Sequence, residues 1–165
     1  MVYRTYIPRS PLSDFVELFW LYEGYDLPHA KERVLPTGTM ELVINLREDA
    51  LRIYDRQDTD RFEGFRGSLI CDVHSEFFVI DTVSQPSVLG VHFKPGGAFP
   101  FLEPSAGELR DVHVSLETLW GVAAGELRDR LLEAETPEAK FRILEESLMA
   151  QAVRALARHP PSPWR

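Results

Sequence analysis

The chain has 165 residues, 44% hydrophobic and 27% charged, with a formal net charge of −8. That is the profile of one folded domain that buries about 70% of the surface its unfolded form exposes, and the acidic balance argues against a direct grip on DNA or RNA. A single cysteine, Cys71, excludes an internal disulfide and a cysteine-rich zinc site and fits a reducing, cytoplasmic setting. Met1–Pro8 lacks the apolar core of a signal peptide, and no apolar run approaches the roughly 20 residues of a membrane span.

Of the 18 Phe, Tyr and Trp residues, 15 lie between Tyr3 and Phe101. Aromatic and β-branched side chains suit pleated, half-buried surfaces, so the first hundred residues read as mostly strand and the rest as mostly helix. Pro11-Leu12-Ser13-Asp14 predicts a short helical turn, with Ser10 as cap and Pro11 at the first helical position. The run Phe15 to Tyr25 follows, and an extended backbone there places Leu18, Trp20 and Tyr22 on one face. After the turn Pro36-Thr37-Gly38, Thr39 to Leu46 is the clearest strand: Met40, Leu42, Ile44 and Leu46 alternate with Glu41, Val43 and Asn45. Leu51 to Tyr54 is a short strand, and Gln57-Asp58-Thr59-Asp60 reads as a hairpin tip. Phe65 to Ile70, Glu76 to Thr82 and Ser87 to Phe93 complete a set whose spacing predicts a sandwich or a small barrel. Pro95-Gly96-Gly97 ends the last strand, and Ala98 to Leu102 reads as a helical turn stopped by Pro104.

Beyond that point the apolar period becomes helical. Ser115 is placed to cap a helix whose Leu116, Leu119, Trp120, Ala123, Leu127 and Leu131 form one stripe. Thr136-Pro137-Glu138 starts a second helix with cap, proline and first-turn acid in their favoured positions. Its stripe is Phe141, Leu144, Leu148, Ala152 and Leu156, and the short connection predicts an antiparallel hairpin. One reading of these stripes is packing within the chain; the other gives Leu144, Leu148 and Ala152 to a second copy of the chain, as a twofold dimer. Residues 159–165 hold three prolines and read as a linker.

Candidate chemistry is sparse. The histidines are His29, His74, His92, His113 and His159, with no His-x-His pair to aim two rings at one ion, so no metal and no cofactor are expected. Ser68 lacks a nucleophile elbow, Cys71 reads as a buried inert thiol, and Lys94-Pro95-Gly96-Gly97 lacks the rest of a phosphate loop. Glu145 with Glu146 and Asp58 with Asp60 read as solvated faces. Glu41 differs, because it stands opposite the apolar face of its strand. If its own face looks inward, a carboxylate lines a pocket. Trp20, Glu41 and His92 combine aromatic surface with polar handles, as small-molecule cavities do, and are the candidate ligand residues.

Four blocks carry a family resemblance. They are Pro11-Leu12-Ser13-Asp14-Phe15-Val16-Glu17-Leu18-Phe19-Trp20, Arg33-Val34-Leu35-Pro36-Thr37-Gly38-Thr39-Met40-Glu41-Leu42-Val43-Ile44-Asn45-Leu46, Leu89-Gly90-Val91-His92-Phe93-Lys94-Pro95-Gly96-Gly97-Ala98, and Glu108-Leu109-Arg110-Asp111 followed by Leu119-Trp120-Gly121. In this order and spacing the chain resembles the N-terminal domain of AraC-type bacterial transcriptional regulators. Thr37 stands where the family usually has aspartate, and His92 and Lys94 where it has arginines. The resemblance implies an α+β fold: a cupin-like small β-barrel over 1–104, an antiparallel helical hairpin over 105–158, and a linker over 159–165 towards a DNA-binding domain not contained in this chain. It implies a regulatory role, sensing a small-molecule effector or supporting a homodimer, without enzymatic activity, with DNA contacted only through that further domain and no membrane partner. Two alternatives stay open: a metal-dependent enzyme, such as an isomerase or dioxygenase, on a cupin-like barrel, and a stand-alone small-molecule-binding module.

Overall fold

A computed structural model describes residues 2–24, 31–34, 38–71, 78–81, 86–102 and 113–158. Pro36, Thr37, Pro104, residues 108–111 and 159–165, and His29, His74 and His159 lie outside the described residues, as does the side chain of Leu156. The larger of two sheets runs β1 (Val2–Tyr6), β2 (Val16–Glu23), β9 (Ser87–Phe93), β4 (Glu41–Asn45), β7 (Ser68–Cys71), β10 (His113–Ser115). The smaller runs β3 (Lys31–Val34), β8 (Phe78–Asp81), β5 (Leu51–Tyr54), β6 (Phe62–Phe65). The strand pairs are antiparallel. A C-terminal helical segment follows: α1 (Leu116–Trp120), α2 (Val122–Glu133) and α3 (Pro137–Arg158). The fold is therefore α+β with strands first, and among the described residues no strand pairing joins the two sheets into one closed barrel.

Both faces of the larger sheet are covered, by different partners. On one face Phe19, Leu21, Leu42, Ile44, Ile70, Leu89 and Val91 share a core with Leu116, Leu127, Leu131, Phe141, Leu144 and Leu148 of the helices. On the other, Val43, Leu69 and Cys71 meet Leu51, Ile53 and Phe65 of the smaller sheet. Covering on both sides explains why every residue of Ser68-Leu69-Ile70-Cys71 is buried, where a half-solvated strand would alternate.

Local chemistry sets the element ends. The turn Leu12–Asp14 starts from Pro11 rather than from a Ser10 cap. β2 carries an irregularity between Val16 and Leu18, where the partner strand advances only from Phe93 to His92. This bulge puts Val16 on the helix-facing side with Phe19 and Leu21, and leaves Leu18, Trp20 and Tyr22 on the other. Asn45, fully buried, ends β4 by accepting the N–H groups of Arg47 and Glu48 on Oδ1 and donating Nδ2 to Ala50 O. The strand expected over Phe65 to Ile70 is two strands, because Asp49 Oδ1 takes the Gly67 N–H at 2.7 Å and the chain breaks from β6 to β7 there.

The helix expected after Ser115 is also two. Gly121 has φ 61° and ψ −135°, outside the helical region, and separates α1 from α2. Ser115 caps neither; its hydroxyl accepts the Arg66 N–H. Thr136 behaves as its position predicts, accepting the Ala139 N–H on Oγ1 at 3.1 Å. α2 and α3 are held by the Arg130–Glu146 ion pair, and Lys140 Nζ donates to Ala134 O at the end of α2. Tyr6 ties β1 to α3: its ring stacks on Phe141 and its hydroxyl donates to Glu145. Leu144 and Leu148 are fully buried in the chain's own core, and Ala152 packs against it.

Candidate functional site

Two neighbouring rows run across the face of the larger sheet that looks towards the smaller one. Strand register places Leu18, His92, Glu41, Cys71 and His113 side by side across β2, β9, β4, β7 and β10. One step along, Thr5, Trp20, Gly90, Val43, Leu69 and Ser115 form the next row. Antiparallel pairing brings side chains in one row to roughly 5 Å separations, so Trp20, Glu41 and His92, 72 residues apart at their extremes, occupy one patch.

Glu41 Oε1 lies 2.8 Å from His92 Nδ1. An ionised carboxylate only accepts hydrogen bonds, so the proton sits on Nδ1. Nε2 then turns to the Thr39 hydroxyl at 3.3 Å. The two side chains keep 25% and 30% of their surface open, so a small solute can reach them. A polar pair this exposed stabilises a fold by about 1 kcal/mol or less. Stability is thus a weak reason for placing this pair on the face.

Trp20 is held across its neighbour strand. A Cβ built on Gly90 would stand 2.1 Å from the indole Cε2 and Cζ2 atoms, so the ring occupies the space that any other residue at position 90 would fill. Tyr22 meets it edge to face with ring centroids 5.6 Å apart, and Tyr3 stacks on Tyr22 at 4.4 Å. Cys71 is buried, and that burial, with the negative charge of Glu41 second, pushes its thiol well above the usual range. It is protonated and poorly nucleophilic at neutral pH.

The three ligand candidates from the sequence therefore share one face. Leu144, Leu148 and Ala152 lie on the opposite side of the sheet, in the helical core, and are not part of this patch. Sequence reasoning missed Thr39, Tyr22 and Gly90. Period-2 alternation signals Thr39 beside Glu41 and Tyr22 beside Trp20; nothing in one sequence signals that Gly90 is the cross-strand partner of Trp20. Among the described residues no group of three or more His, Cys, Asp or Glu side chains is placed to hold a metal ion.

No helix among the described residues is long and apolar enough to cross a membrane. No curated protein matches the sequence. A family match covers residues 4–115, which takes in the larger sheet with its Trp20, Glu41 and His92 patch and stops where the helical segment begins. The chain belongs to the family described as a domain of unknown function, DUF6597.

Proposed function

We propose that this chain is the effector-sensing part of an AraC-type transcriptional regulator, built on a cupin-like arrangement of its two sheets. The observation that carries the reading is the Glu41–His92 pair beside Trp20, solvent-reachable on a sheet whose opposite face holds the helices. β4 and β9 serve both sides: Glu41 and His92 face the site, while Leu42, Ile44, Leu89 and Val91 face the helical core. A bound molecule that prefers one setting of these strands biases the helices through a shared backbone, which is a population shift. Arg128 of α2 gives a direct link, donating from Nε to Asn45 O at the end of β4, 3.0 Å away.

The order and spacing of the four sequence blocks support the regulator assignment. A net charge of −8 supports a reading in which such a regulator contacts DNA through another part. Dimerisation belongs to the same reading. Because Leu144 and Leu148 serve the core, a twofold contact on α3 would use its outer face, where Val153 is 60% exposed.

A thermal-shift screen of small metabolites, with light scattering, tests the proposal. A ligand at about 100 times its Kd stabilises by ~2.7 kcal/mol, which at this chain length raises Tm by roughly 5–10 °C. At least one such compound and a dimer are expected; a strict monomer with no responding compound contradicts the reading.

A further inference from the structure

The site also carries information about what it binds. Across the two rows Glu41 is the carboxylate and His92 and His113 are the imidazoles, and neither row contains a lysine or arginine. Among the described residues only Oε1 of Glu41 is engaged, by His92. The second carboxylate oxygen keeps its capacity to accept, and an ionised carboxylate has nothing to donate. The negative charge is felt at the next strand, where it contributes to holding the Cys71 thiol protonated. Beside it, the Trp20 indole is fixed by its seat on Gly90, two residues from His92 on the same strand. Aromatic faces attract cations, Trp most strongly, while an incoming carboxylate or phosphate would meet the like charge of Glu41.

Resting on the sensing reading above, we propose that the site selects a small aromatic compound bearing a protonated amine, with the amine on Glu41 and the ring against Trp20, and that it rejects carboxylates and phosphates. The ammonium would donate to Glu41 Oε2 while His92 continues to orient Oε1.

Calorimetry on the full chain with 2-phenylethylamine, 2-phenylethanol and phenylacetate tests this, since the three share a ring and differ in the charge of the tail. The amine is expected to bind at least about tenfold more tightly than the alcohol, with phenylacetate weakest. Glu41→Gln is expected to bring amine and alcohol to equal affinity, and Trp20→Ala to weaken both. Should Glu41→Gln fail to fold, the wild-type protein still reports: amine binding must weaken as salt is raised, and alcohol binding must not. Phenylacetate binding as tightly as the amine, with Trp20→Ala abolishing both, overturns the ligand class and leaves the site standing. Binding of the probes unchanged by Trp20→Ala overturns the site itself, and no binding by any probe overturns the amine assignment.

Discussion

Trp20 and Gly90 form a sharp residue-scale dependence. The indole lies where a Cβ at position 90 would be, and the listless freedom usually associated with glycine is irrelevant here: what matters is the missing atom. Gly90→Ala is therefore expected to destabilise by about 1–3 kcal/mol through overpacking. The cost should fall sharply in a Trp20→Ala background, where the Cβ has room, so a double-mutant cycle in urea denaturation reads the contact directly. Additive losses would mean that the two residues do not meet. The sequence makes Trp20, Glu41 and His92 visible as an aromatic and two polar groups on strands. Their convergence depends on the register Trp20↔Gly90 and Glu41↔His92, and cross-strand register is a long-range property that alternation within one strand does not contain.

At the scale of elements, alternation and turn chemistry were informative wherever a strand has unlike faces or a strong stop. Ser87–Phe93 and Leu51–Tyr54 have the bounds expected from sequence. β1 escaped notice because Val2, Tyr3, Arg4 and Thr5 are all exposed on an edge strand, so no apolar period marks it. β10, three residues long, is too short to show one. The apolar stripe from Leu116 to Leu131 does exist, yet the helix carrying it is broken, since an i, i+3, i+4 pattern says nothing of a single residue's φ. Two glycines separate these effects. Gly121→Ala forces a side chain into φ 61°, ψ −135° and is expected to cost about 1–3 kcal/mol. Gly125→Ala, in the body of α2 with open space around the new methyl, is expected to stabilise by about 0.5–1 kcal/mol. Denaturant midpoints of the two variants check both signs; a stabilised Gly121→Ala would mean that α1 and α2 are one continuous helix.

For the whole molecule, the larger sheet is the shared wall of two compartments, the helical core on one side and the intersheet face on the other. Composition and periodicity reveal that strands precede helices, but which face of each strand meets which layer is settled only by the assembled sheet. That division is what lets one strand present Glu41 to the intersheet face and Leu42 to the helical core. Arg128, bonded to Asn45 O and 4.0 Å from Asp49, fastens α2 to the end of that strand. The most direct test is a two-dimensional 1H–15N NMR titration with the compound that gives the largest thermal shift. The account predicts perturbation of the Trp20 indole N–H and the Glu41 and His92 amides, continuing to the Arg128 side chain. Saturable binding that leaves these signals in place, with shifts confined to the outer surface of the helices, would contradict it.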